Sequence, residues 1–331
     1  MLTIKYTTTQ SSTEVTATYE TINELKLEIT QNSTYKTILK TVVLSGGVDL
    51  DESAEKLFYQ CSSIISIDAS GFDTHNITNM RDMFSKCTSV KSINIDNYVT
   101  SSVTTMNGMF NSCESLTTLN VLHFDTSNVT NTAYMFYGCN ALTSLDVSSF
   151  DTSKVTDMQS MFAYCSSLRE LDLRNFDTSN VTNMHSMFRY CSSISKLNLK
   201  SFNTSKVTDF GYFMPDCISL TEVDLTSFTF NVATDVSVFF YNSSNLETIV
   251  CPNNWNSMVP SSATKWGLFT GCTSLRGAIA YDSSKTDVTY ANPSTGYFTS
   301  YKVYCNDSPC TAIKYNGTSV AHLYYNDRKL Y

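Results

Sequence analysis

Hydrophobic and polar positions along most of this chain repeat at one fixed interval. Cys61, Cys87, Cys113, Cys139, Cys165, Cys191 and Cys217 follow one another every 26 residues. Counted from each Cys, apolar residues fall at +3, +6 and +8 and an aromatic at +11, as in Leu168, Leu171, Leu173 and Phe176. The +6/+8 alternation predicts a short strand whose +5, +7 and +9 neighbours face outward. In the second half of each repeat the spacing changes. Val181, Met184, Met187 and Phe188 are three, three and one residues apart, which predicts one face of a helical or 3₁₀ turn. Thr156, Thr182 and Thr208 stand where an N-cap would be.

A period in this range is the mark of a solenoid, in which each repeat buries its apolar face only against its neighbours. The pattern L-x-x-L-x-L-x-x-F is a leucine-rich-repeat strand signature with an aromatic at its last position. The predicted fold is therefore an α/β repeat, a leucine-rich-repeat solenoid with one short strand and one short helix per rung. Residues 46–299 form it. The repeats decay after Cys217, where Ser243 replaces the next Cys and Pro252, Trp255 and Pro260 mark an enlarged loop before Cys272. Residues 1–45 read as a β-rich cap, with LTIKYT, EVTATYE, LKLEIT and KTILKTVVL as strands. Residues 300–331 read as a C-terminal β-hairpin module, with turn signals at Asn316-Gly317 and Asn326-Asp327.

Charge narrows the function. The 331 residues carry a net charge of −8 with only 22 Lys and Arg, and no basic cluster interleaved with aromatics that would engage nucleic acid. No apolar run reaches the ~18 residues a membrane helix needs. The first residues lack the cationic-then-apolar order of a secretory signal. With 16% charged residues, the surface is mostly neutral and polar, suited to proteins or glycans as partners.

The cysteine column reads as reduced core packing, since stacked identical Cys are small and readily buried; Cys305 and Cys310 are close enough in sequence to pair. The Met and Phe residues of the turn half also read as core. His75, His123, His185 and His322 fall at different phases of the repeat and do not converge. The expectation is a protein without catalytic residues, metal or cofactor; an enzymatic site would have to lie on the decayed rungs near Trp255 and Trp266. Asp125, Asp151 and Asp177 are expected to accept backbone hydrogen bonds at turns. The +7 column Asp68, Asn94, Asn120, Asp146, Asp172, Asn198 and Asp224 is either a solubilising face or a site for Ca²⁺ or a glycan. Glu170, Arg174, Lys196, Lys200 and Glu222 occupy outward +5 and +9 positions of three adjacent rungs that otherwise copy one another. They are the candidate partner-binding residues; the alternative is simple cross-strand charge pairing.

The units FDTSNVTNTAYMFYGCNALTSLDV, FDTSKVTDMQSMFAYCSSLRELDL and FDTSNVTNMHSMFRYCSSISKLNL resemble BspA-like leucine-rich repeats, from about Phe58 to Phe298. That resemblance implies a binding role, because members are mostly bacterial and protist surface proteins that adhere to matrix proteins or other cells. The C-terminal YNGTSVAHLYYNDRKLY is similar to hairpin endings of bacteriophage virion proteins. Together these imply a virion component assembled in the host cytoplasm, which presents the repeats to other virion proteins, a host-surface protein, a glycan or further copies of itself in homo-oligomers. The alternative is an adhesin on the bacterial cell surface.

Overall fold

The computed structural model describes residues 2–31, 33–46 and 52–299, together with four two-residue strands nearer the C-terminus. The chain opens with β1 (Leu2–Thr8), β2 (Val15–Tyr19), α1 (Ile22–Gln31), α2 (Ser33–Ile38) and β3 (Leu39–Gly46). LKLEIT is thus helical, not a strand. Ile22, Leu25 and Ile29 recur at helical spacing and are buried, and the Thr21 hydroxyl accepts the Glu24 N–H at 3.2 Å as an N-terminal cap. β1 pairs antiparallel with both β2 and β3.

The solenoid starts with β4 (Glu52–Ser53), β5 (Ser66–Phe72), β6 (Ile77–Asn79) and β7 (Ser92–Asn94). β3 pairs parallel with β5, setting Val42 opposite Ile67, so the cap continues the strand face and covers its first rung. Later rungs contribute β8 (Glu170–Asp172), β9 (Lys196–Asn198), β10 (Glu222–Asp224) and β11 (Thr248–Val250). After the short α3 (Trp255–Met258), β12 (Phe298–Thr299) pairs parallel with β11 and closes the array. About eight turns stack in this way. A second parallel ladder of single-residue bridges runs unbroken from Asn79 through Thr105, Asn131, Asp157, Asn183, Asp209 and Asp235 to Thr264.

The helix expected in each rung is absent from the described repeats, and the hydrogen bonds explain why. In the Cys165 rung the N–H groups of Met158, Ser160, Phe162 and Tyr164 donate to Asn183, His185, Met187 and Arg189 of the next rung, at 2.7–3.1 Å. The alternate N–H groups of Met161, Ala163 and Cys165 close i→i−3 turns at 3.2 Å. An α-helix would consume all of these donors within its own segment; here every second donor ties neighbouring rungs together. The geometry requires a left-handed residue every fourth position, and Ser160 (φ 52°) and Tyr164 (φ 62°) supply it. The same pair of sites recurs rung by rung, filled by Gly only at Gly108, Gly138, Gly267 and Gly271. Nor do the threonines cap helices: the hydroxyls of Thr156, Thr182 and Thr208 each donate to the equivalent Thr carbonyl one rung back, at 3.1–3.3 Å.

The apolar columns meet inside. Phe84, Phe110, Phe136, Phe162 and Phe188 stack with centroids 5.6–5.9 Å apart and planes within 10° of parallel. Each cysteine from Cys87 to Cys217 is buried and free, and its thiol donates to the Phe carbonyl of the preceding rung, as Cys165 does to Phe136 at 3.1 Å. Where the column changes to Ser243, the hydroxyl keeps that bond, donating to the Met214 carbonyl at 3.0 Å. Burial pushes the Cys165 thiol from its ordinary value of 9.0 up to about 12. The phenylalanine stack ends where Met and Phe exchange order at Phe213-Met214; Phe213 meets Phe188 edge-on at 88°. From there a tilted cluster of Phe210, Phe230 and Phe239 surrounds buried Trp255.

Two antiparallel pairs lie nearer the C-terminus, Tyr304–Cys305 with Ser308–Pro309 and Tyr324–Tyr325 with Arg328–Lys329, the latter flanking Asn326 and Asp327. The Asn316-Gly317 turn and the pairing of Cys305 with Cys310 lie outside the described residues.

Candidate functional site

The strand face is not uniform. Strands β5 and β7, and again β8 and β9, are joined by parallel hydrogen bonds. Between them, residues 118–120 and 144–146 carry the same apolar/polar alternation but form no strand, and among the described residues no backbone hydrogen bond joins them to each other or to β7 and β8. The turn half of these rungs remains fully bonded, so the rungs are held along one side and parted along the other. Two adjoining clefts result. The first, of about 420 Å³, is lined by Ile93, Asn94, Leu119, Asn120, Leu122 and Asp146 among others. The second, of about 690 Å³, is lined by Leu145, Asp146, Leu171, Asp172, Arg174 and Lys196 among others. Leu119 is half-buried and Leu122 is 49% exposed. The floor of the opening is therefore apolar, and its rim carries amides and charges.

The +7 residues have a structural task within this face. Each side chain from Asp68 to Asp224 accepts the N–H two residues onward, for example Asp146 from Ser148 at 2.9 Å and Asp172 from Arg174 at 3.1 Å. These Asx turns end the strand and send the chain toward the aromatic at +11. The Ser148 hydroxyl and N–H hold the Asp146 carboxyl below the usual carboxylate range, and Arg174 does the same for Asp172. Asp125, Asp151 and Asp177 play the equivalent part at the next turn, accepting from Ser127, Ser153 and Ser179 at 2.9–3.0 Å.

Of the five residues singled out from sequence, Glu170, Arg174 and Lys196 line the second cleft. Glu170 stands opposite Lys196 in register. Arg174 is turned onto Asp172 of its own rung, with Nη2 2.6 Å from Oδ2. Lys200 reaches across one rung to Asp224 at 3.7 Å, and Glu222 lies on β10, away from the cleft lining. The histidines stay apart: His75 sits on Asp73, His185 on Asp209 at 3.1 Å, and His123 against the Phe124 ring at 5.0 Å; His322 lies outside the described residues. Trp255 is core and Trp266 is 59% exposed, and among the described residues no metal-ligating cluster joins them. Among the described residues no group of three or more His, Cys, Asp or Glu is placed to hold a metal ion, and no helix is long and apolar enough to cross a membrane.

Leu119, Leu122 and Leu145 escaped notice because two of them occupy the +6 position, which is core in most rungs. The signal available was Leu122 at +9, an apolar residue in an otherwise polar outward column.

An extended array of near-identical rungs, with parallel bridges on two sides and no convergent chemistry among the described residues, defines a β-solenoid repeat protein. Two segments, residues 52–171 and 156–281, match the family model described as "Mycoplasma protein of unknown function, DUF285". The matches span most of the chain, and the protein belongs to that family, in keeping with its likeness to BspA-like repeats. No curated protein and no solved structure matches it.

Proposed function

We propose that this protein is a non-catalytic binding protein whose strand face receives an extended segment of a partner protein. The observation that carries this reading is the opening of the strand ladder at residues 118–120 and 144–146. Unpaired backbone beside an apolar floor is what a β-strand partner uses: main-chain hydrogen bonds supply affinity and alternate side chains fill pockets. Leu119 and Leu145 would accept apolar side chains, while Glu170, Arg174 and Lys196 at the rim would select charge. Selection of peptides from a random library against the purified protein tests this. Leu119→Lys and Leu145→Lys should abolish binding of the selected peptides, and charge reversal at Lys196 should change their charge preference. Peptides that bind these variants as tightly as the native protein would refute the assignment.

Two settings suit such a role. The virion setting rests on the C-terminal segment YNGTSVAHLYYNDRKLY. The bacterial cell-surface setting rests on the likeness to BspA-like repeats; the family description names Mycoplasma and no location. Mass spectrometry of purified virions, set against protease shaving of intact cells, separates them: the setting in which the chain is absent is excluded.

A further inference from the structure

The turn side of the same rungs carries a feature of a different kind. Tyr137, Tyr164 and Tyr190 contact one another across three successive rungs, with ring centroids 5.2 and 4.7 Å apart. The guanidinium carbon of Arg189 lies 5.7, 5.4 and 5.1 Å from the rings of Tyr164, Tyr190 and Tyr212. Its Nε is buried and has no hydrogen-bond partner. Arg81 and Arg174 face carboxylates; among the described residues Arg189 has none within 4.0 Å. Tyr164 and Tyr190 occupy left-handed positions (φ 62° and 58°) that other rungs fill with Gly138, Asp216, Asn242 or Gly271, and Tyr212 (φ 56°) occupies the other left-handed site of its rung, filled elsewhere by Gly108, Ser160 or Gly267. Bulky side chains disfavour that conformation, and core burial does not explain their presence, since Tyr190 is 37% exposed.

Such a surface favours an anion. Ring edges carry positive charge, phenol hydroxyls donate, and the guanidinium offers a planar fork matched to a carboxylate. The main chain here is fully engaged: Tyr164 donates to the Arg189 carbonyl at 2.7 Å and Tyr190 to the Pro215 carbonyl at 2.9 Å. A peptide would therefore find no backbone to pair with, and recognition rests on side chains alone. A nucleic acid would bring a phosphate on every nucleotide to a cluster built around one cation, Arg189. Rungs lie about 4.8 Å apart, comparable to the length of one pyranose unit, so successive tyrosines match successive sugars. We infer that this tyrosine–arginine cluster is a binding site for an acidic polysaccharide, with a uronic carboxylate on Arg189 and sugar hydroxyls on Tyr137, Tyr164 and Tyr190. This face is separate from the strand clefts and goes beyond their assignment.

Isothermal titration of the full chain with hyaluronan oligosaccharides tests it, with maltohexaose, oligo-dT and oligoglutamate as comparators. The native protein should bind hyaluronan and none of the comparators. Arg189→Gln should weaken binding about tenfold or more, the loss of a bond to a charged group, and Tyr190→Phe about fivefold, the loss of one neutral hydrogen bond. Arg189→Lys, which keeps the charge and loses the fork, should fall between. Should Arg189→Gln fail to fold, Tyr190→Phe and Arg189→Lys still decide, since both keep the packing. Leu119→Lys should leave binding unchanged, so failure here and failure of the strand-face reading are distinguishable. No binding of hyaluronan, binding unaffected by these variants, or preference for oligo-dT or oligoglutamate would overturn the inference.

Discussion

The buried thiol column makes the solenoid alkali-sensitive in a way that one substitution can isolate. Cys165 is inaccessible to solvent, and burial pushes its thiol from 9.0 to about 12. A folded-state value above the unfolded one contributes stability that is fully present below pH 9 and is lost as pH rises toward 12. Above pH 9 the unfolded chain releases this proton and the folded chain keeps it, so unfolding gains about 1.4 kcal/mol per pH unit per thiol. Cys61, Cys217 and Cys272 are raised to about 12 as well, and the effect accumulates along the column. The decisive comparison is native against Cys165→Ser, because Ser243 already shows that a hydroxyl fits the column and keeps its bond to the preceding rung. Urea unfolding under reducing conditions at pH 7.5, 9.5 and 10.5 gives the two stabilities. The native protein should be the more stable at pH 7.5, and its advantage should shrink by about 1.4 kcal/mol between pH 9.5 and 10.5. An advantage independent of pH across that range would refute the claim that Cys165 is held protonated by burial.

Three further outcomes follow from the packing. Phe162→Ala removes a ring stacked on both sides and should cost about 3–5 kcal/mol by urea unfolding; a loss near 1 kcal/mol would contradict the continuous stack. Gly138→Ala should cost about 1–2 kcal/mol, because an added methyl meets nothing closer than Ser112 Cα at 3.4 Å and the penalty is the left-handed backbone alone; an unchanged unfolding midpoint would argue against that conformation. Gln60→Gly, at an exposed left-handed site (φ 64°), should raise the midpoint, and a lowered one would count against the same geometry.

The array itself was legible because identical rungs announce their period, and the inward positions followed from phase. What misled was the second half of the rung. Val181, Met184, Met187 and Phe188 do share one inward face, but a three-residue spacing is equally produced by successive i→i−3 turns. Only the inter-rung bonds, invisible to a single repeat, decide between turn and helix. LKLEIT misled in the opposite direction: its β-propensity and loose alternation gave way to the Ile22, Leu25 and Ile29 face that packs on the cap sheet. At the candidate site, sequence divergence located Glu170, Arg174 and Lys196 at the second cleft. It did not reveal the opening beneath them, because Leu119 and Leu145 satisfy the repeat as well as Leu171 and Leu197 do. The difference lies in whether adjacent strands reach hydrogen-bonding distance, a property of the stack.

The strand-face assignment depends on that opening, and amide hydrogen exchange measures it without any partner in hand. Site-resolved exchange of the isolated protein should show fast exchange across residues 118–120 and 144–146 and slow exchange in β8 and β9, although all four segments carry the same apolar alternation. A selected peptide that binds the clefts should then slow exchange at 118–120 and 144–146. Equal protection of all four segments in the free protein would mean that the ladder is closed, and the proposed binding face would not exist.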